Sequence, residues 1–248
     1  WAVNEAEARR MIAAQQAAGR RLFPWLPARW GSDLVRLRAL VQSGAIGNVF
    51  LVRRCVSSFA MRDDWQTARR YGGGYLLNWG PHIVDQALLL LDSPVAAAYG
   101  QLRRVINPGD AEDLFYAVMT LRNGAIVQAE YTVSLEPLPS WIIQGDRGTI
   151  IAHGRQLTIR TTTPARPADP THFAAMQADA AQVTDETVGP EIYGDEHRIY
   201  AELAEALLHE TPFPVTPADA LELTRVLDAV RHASETGQVV TLRAGARV

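Results

Sequence analysis

No lysine occurs anywhere in this chain of 248 residues: its 24 Lys and Arg positions are all arginine. For these residues, that excludes a Schiff-base mechanism and any step through a titrating ammonium group. Cysteine is nearly missing as well. Cys55 stands alone, so no internal disulfide can form, and a reducing compartment such as the cytoplasm fits. Long hydrophobic runs are absent; the stretch Leu88 to Leu91 is far too short to span a membrane. Excess positive charge is absent too, because the net charge is -3. The pairs Arg9-Arg10, Arg20-Arg21, Arg53-Arg54 and Arg103-Arg104 are balanced by acids elsewhere and read as solvated or salt-bridged faces. Neither a nucleic-acid partner nor a membrane is expected. A Gly-x-Gly-x-x-Gly turn is also lacking, since Leu77 stands where the third glycine after Gly72 and Gly74 would fall. No metal site is expected.

What remains is ordinary for a globular protein, with 48% hydrophobic and 21% charged residues. The length suits one large domain or two small ones. The chain begins at Trp1 in what reads as the middle of a domain, so the native N-terminus is expected upstream and a targeting signal is not readable here.

The densest chemistry lies between Tyr71 and Asp85. Gly72, Gly73 and Gly74 allow a sharp turn or a close backbone approach. Pro81 suits the first turn of a helix, which places His82 at the helix's positive end and disfavours protonation of its ring. Asn78, His82 and Asp85 share one face if the helix begins early enough to include Asn78. A neutral imidazole between an amide and a carboxylate can move a proton at neutral pH. The same residues also fit a plain buried helix, with the histidine merely satisfying a backbone carbonyl and the glycines forming a loop.

Local signals outline the rest. Asn4 and Glu7 start a helix that Gly19 ends, and residues 21–26 follow as an extended segment. Ser32 or Asp33 is expected to cap a second helix with Leu34, Leu37, Leu40 and Val41 on one side. Strands are expected at Asn48–Ser58, Val95–Ile106, Glu112–Leu121 and Ala125–Val133, the last two joined by the hairpin pair Asn123-Gly124. Trp141–Gln144, Thr149–Ala152 and Leu157–Thr161 continue the meander. Residues 162–189 read as a long loop with at most one short helix. Helices at Glu196–Leu208 and from Thr216 to Gly237, then a strand at Gln238–Leu242, close the chain. This is an α+β arrangement, a large, mostly antiparallel open sheet with helices on one face.

The motif Gly72-Gly73-Gly74 with Asn78-x-Gly80-x-His82-x-x-Asp85 resembles the centre of the glucose–fructose oxidoreductase, inositol dehydrogenase and rhizopine-catabolism (Gfo/Idh/MocA) family, usually Gly-Gly-Gly then Asp-x-Gly-x-His-x-x-Asp. The resemblance extends through Arg29-Trp30, Leu40 to Gly47, Asp64-Trp65, Asp110-Ala111-Glu112-Asp113, Trp141 to Gly145 with Gly148-Thr149, and Pro214-Val215-Thr216. It implies that residues 1–30 are the last αβ unit of a Rossmann dinucleotide-binding domain and that residues 31–248 are a substrate-binding and assembly domain. The family's Glu-Lys-Pro would fall just before Trp1, and Asn78 replaces the more common aspartate. An amide can orient a hydroxyl but cannot take its proton.

Carried onto this chain, the resemblance implies an NAD- or NADP-dependent oxidoreductase acting on a CH–OH group of a sugar or polyol. His82 would be the acid/base and Asn78 the group that orients the hydroxyl. Arg29, Trp65 and Tyr71 would each line the pocket or serve a structural role instead, and Asp85 would fix the imidazole tautomer or serve as a structural helix carboxylate. No cofactor is expected to bind this chain alone, and its cofactor-binding residues are not identifiable. The uncovered sheet face would pack on a second copy; Val and Ala on alternate positions of Ala125–Val133 would supply its apolar surface, or else serve core burial. Two alternatives stay open: a non-catalytic assembly or ligand-binding module, and a glycosidase-type relative that oxidises its sugar transiently.

Overall fold

A computed structural model describes residues 1–163, 171–173 and 180–243. Stretches of alternating burial rich in β-branched and aromatic residues become nine strands of one sheet, in the order β8-β7-β6-β5-β1-β4-β3-β2-β9. They are β1 (Val49–Ser57), β2 (Val95–Arg103), β3 (Leu114–Leu121), β4 (Ile126–Thr132), β5 (Trp141–Gly145), β6 (Gly148–His153), β7 (Gln156–Thr161), β8 (Gln182–Thr187) and β9 (Val240–Thr241). Only β1 and β4 run parallel; the other neighbours are antiparallel. The expected open, mostly antiparallel sheet is present. Asn123-Gly124 makes the β3–β4 turn, with Gly124 at φ +88° and the Asn123 side chain accepting from the Ala125 N–H.

The helices are α1 (Glu5–Ala17), α2 (Ser32–Gln42), α3 (Tyr75–Asn78), α4 (Gly80–Leu88), α5 (Glu196–Leu208) and α6 (Pro217–Thr236). On α6 the local chemistry is complete. Thr216 and Asp219 form a reciprocal capping box, Pro217 opens the first turn, and Gly237 closes the helix in the left-handed region. Leu223, Val226, Leu227 and Val230 are buried against the sheet, as their spacing predicts.

One continuous core fills the space between the sheet and α2, α4 and α6. Val52, Phe115, Met119, Val127, Ile143 and Ile150 supply the strand side of it. Alternation therefore sends Val127 and Ala129 of β4 into the core, and the opposite face of that strand carries Ile126, Gln128 and Glu130. Of the two uses open to the alternation in this strand, Val127 and Ala129 serve core burial.

Two local expectations are corrected. Gly31, not Ser32 or Asp33, occupies the N-cap of α2. Asp33 is buried and accepts from Trp141 Nε1 at 2.8 Å, so its carboxylate ties α2 to β5. Of residues 162–189, Gln182–Thr187 form an edge strand on β7, where a loop was expected. A short polar strand exposed on both faces lacks the apolar alternation that reveals most strands. The short helix allowed in this stretch has no counterpart in its described part, and residues 164–170 and 174–179 lie outside the described residues. Among the described residues, no helix is long and apolar enough to cross a membrane.

Candidate functional site

The glycine run does not lead into one helix. It leads into the four-residue α3, then into α4, with Trp79 between them still at helical angles of φ -91° and ψ -33°. Helical phase is therefore carried from Asn78 to His82, and the two remain one turn apart on one face. The His82 N–H donates to the Trp79 carbonyl at 3.1 Å, so its backbone is satisfied in the first turn of α4.

Two of the three glycines are required by the chain itself. A Cβ on Gly73 would stand 2.4 Å from the Gln66 carbonyl oxygen. Gly74 has φ +110°, and a Cβ there would fall 2.3 Å from a Glu112 carboxylate oxygen. That carboxylate accepts from the Leu76 N–H at 3.2 Å, while the Glu112 carbonyl accepts from the Tyr75 N–H at 3.0 Å. Burial pushes the Glu112 carboxyl up, and the bond from Leu76 pulls it down. Replacing Gly74 with alanine is expected to destabilise the fold by about 1–3 kcal/mol, because strain and a clash coincide. The midpoint of urea unfolding measures this, and an unchanged midpoint would contradict it.

The acids of Asp110-Ala111-Glu112-Asp113 scaffold this turn. Asp110 accepts from the Arg69 N–H at 2.9 Å. Asp113 is buried and accepts from three successive backbone N–H groups, those of Val105, Ile106 and Asn107. Asn107 in turn donates to the Tyr75 hydroxyl at 3.2 Å. Tyr75, Tyr131, Trp79 and Tyr193 then pack in series, with ring centroids 4.5–6.0 Å apart. The sequence signal for this support was the acid-rich motif opening β3; its target was not visible.

His82 is half-buried, and its Nδ1 is sealed without a hydrogen-bond partner among the described residues. Burial holds its pKa below the ordinary imidazole value. The direction is the expected one, but desolvation leads rather than the helix end. Asn78 donates from Nδ2 to Gln66 Oε1. Trp65 and Tyr71 are each 58% exposed, on the turns just before the glycines. Asp64 caps the turn holding Trp65, and Arg70 lies over the Tyr71 ring at 4.7 Å.

Asp85 does not orient the imidazole. Its two oxygens accept from Arg29 Nε at 2.8 Å and Nη2 at 2.7 Å, and burial pushes its carboxyl up against that pull. Arg29 also donates from Nη1 to the Pro214 carbonyl at 2.9 Å and to Asp219 at 3.3 Å. The pair thus joins α4 to the turn at residues 27–30 and to the start of α6. It forms part of the floor of a groove of about 1180 Å³ that is also lined by Leu88, Leu89 and Glu222, and His82 does not line that groove. Backbone phase therefore leaves Asn78 and His82 one turn apart, and the structure commits Arg29 and Asp85 to each other.

Cys55 is buried, with its thiol pushed up to about 12 by desolvation and by Glu130, so it is a poor nucleophile. No group of three or more His, Cys, Asp or Glu among the described residues is placed to hold a metal ion.

Comparison with known proteins agrees with this architecture. Residues 34–151 match the model of the GFO/IDH/MocA C-terminal domain. The uncharacterised oxidoreductase YdgJ of Escherichia coli is 27% identical over 62% of the chain, and scyllo-inositol 2-dehydrogenase (NADP(+)) IolW of Bacillus subtilis is 22% identical over 86%. The chain spans 45% and 62% of the lengths of these two relatives. An NAD-binding protein from Listeria innocua shares the fold at TM-score 0.78 and 21% identity, over 97% of this chain and 72% of its own. Residues 34–151, which hold the glycine turn and the histidine helix, are thus a C-terminal domain of the Gfo/Idh/MocA type.

Proposed function

We propose that this chain is the substrate-binding part of an NAD- or NADP-dependent oxidoreductase acting on a CH–OH group of a sugar or polyol. The observation that carries the proposal is a half-buried His82 whose protonation burial disfavours, set one helical turn from Asn78. Removing hydride from a carbinol carbon requires its hydroxyl proton to go to a base poised near neutral pH. A protonated His82 would bury an N–H at Nδ1 with no acceptor, so the ring passes a proton on rather than keeping it. Asn78 orients the hydroxyl, and Trp65 and Tyr71 offer exposed aromatic faces to a sugar ring. Arg29 and Asp85 act as frame, not as substrate ligands.

The nicotinamide dinucleotide supplies a hydride acceptor when bound, but the glycine turn of this chain does not fit its pyrophosphate. Gly74 already faces the Glu112 carboxylate, which would repel a phosphate, and the Gln66 carbonyl fills the space at Gly73. Residues 1–30 are read as the last unit of the domain that holds the cofactor, and residues 31–248 as the substrate and assembly domain. NADP is named for the IolW relative and NAD for the Listeria protein, and both remain within the proposal. The open sheet face is read as the surface for a second copy, and the cytoplasm as the compartment.

Mixing the full-length protein with NAD or NADP and a panel of polyols tests the reading through reduced-nicotinamide absorbance. A polyol-dependent rise supports it. No rise with any polyol, or sugar release without net reduction, turns the assignment to the assembly-module or glycosidase-type alternative.

A further inference from the structure

We propose that Gln66 is a positioning residue: it holds the NH₂ end of the Asn78 amide, so that Asn78 presents its carbonyl Oδ1 as an acceptor to a neighbouring hydroxyl of the polyol and so orients the reacting hydroxyl toward His82. This rests on the function proposed above.

Gln66 is clamped through its backbone. Its N–H donates to Asp64 Oδ1 at 2.8 Å, and its carbonyl accepts from the Gly74 N–H at 2.9 Å. The missing Cβ at Gly73 makes room for that carbonyl. Its side-chain oxygen accepts from Asn78 Nδ2 in a part-buried pair. Asn78 is fixed from the other side, as the last residue of α3, by its N–H donating to the Gly74 carbonyl at 3.0 Å. Both ends of the contact are therefore anchored to one glycine turn.

An amide carries two donors at one end and an acceptor at the other, and an unheld amide can turn either end to a ligand. A partner on the NH₂ end removes that choice. The acceptor left over matches the proton of a neighbouring hydroxyl of the polyol, so the single proton of the reacting hydroxyl stays available to His82. A donor presented instead would leave that neighbouring proton without an acceptor. Glutamine can itself turn over, so the sense of the pair is tested by residues that cannot.

Glutamate at position 66 only accepts and locks Asn78 in the proposed sense; lysine only donates and forces the reverse; leucine removes the partner. In the full-length protein, Gln66→Leu and Gln66→Lys are each expected to lower kcat/KM for the polyol about 3–10-fold, the range for one hydrogen bond, while Gln66→Glu keeps most of it. In ¹⁵N spectra of this chain, the Asn78 side-chain NH₂ pair is expected to be protected in the wild type and in Gln66→Glu, and unprotected in Gln66→Leu. Equal losses in Gln66→Glu and Gln66→Leu, full activity in Gln66→Lys, or an unprotected Asn78 amide in the wild type would each overturn the proposal. His82→Ala serves as control. If it keeps full activity, the parent function falls and this inference with it; if it collapses while Gln66→Leu is unchanged, only this inference falls.

Discussion

Replacing Arg29 with alanine is expected to destabilise the fold by about 3–5 kcal/mol, the range for breaking a buried ion pair from one side. Arg29 and Asp85 leave only 11% and 8% of their side chains exposed and meet through two hydrogen bonds of 2.8 and 2.7 Å. Without the guanidinium, the Asp85 carboxylate stays inside with no counter-charge and no other hydrogen-bond donor among the described residues. The Pro214 carbonyl and Asp219 also lose a partner, and with them the tie between α4 and the start of α6. Lysine at position 29 is expected to restore only part of the loss, because a point charge cannot engage both oxygens in a fork. The unpaired carboxylate has a further signature. Burial already pushes the Asp85 carboxyl up, and removing Arg29 takes away the main opposing pull. The folded-state value in the variant lies above that of the unfolded chain, so the deficit shrinks as pH falls and protonation neutralises the group. Urea unfolding of both proteins from neutral to acidic pH measures this. A loss below about 1 kcal/mol, the level of an exposed pair, would contradict the buried frame.

Replacing His82 with alanine in the full-length protein is expected to slow turnover by about 10²–10⁴-fold, the usual contribution of one general acid or base. The fold is expected to survive, because the His82 ring makes no hydrogen bond through Nδ1 and sits only half-buried in the first turn of α4. Turnover should fall far more than substrate affinity, since a proton carrier acts on the chemical step and Asn78 with the exposed aromatics remains to hold the polyol. Steady-state rates by nicotinamide absorbance give both parameters. Equal rates in the variant and the wild type would remove His82 from the chemistry and leave the motif as a structural turn.

The parts of this protein legible in its sequence are those decided within a few residues. Asn123-Gly124 specifies its own hairpin, and Thr216, Pro217, Asp219 and Gly237 specify both ends of α6. The face shared by Asn78 and His82 was readable because four-residue spacing survives the break at Trp79. Partners distant in the chain were not readable. Asp33 looks like a helix cap by position, yet its carboxylate meets Trp141, 108 residues away. Asp85 looks like a companion for His82 three residues before it, yet a guanidinium 56 residues away outcompetes the imidazole by charge and by two-pronged geometry. The glycine triplet suggested room for a ligand, and Glu112 and Gln66 of the same chain fill that room. Strand β8 escaped notice because five of its six residues are polar and owe their pairing to β7 rather than to a buried face.

The central claim is that the His82 ring is held neutral yet stays in reach of a small polar molecule. The ¹H–¹³C resonance of its imidazole, assigned by its disappearance in His82→Gln, tests this directly when followed against pH with and without polyol. The account predicts a midpoint below the ordinary imidazole value, because burial disfavours the charged ring, and a shift of the resonance when polyol is added. The matching stability is full above that ordinary value and is lost as pH falls through the lower, folded one. A midpoint at or above the ordinary value, or a resonance blind to every polyol tried, would contradict it.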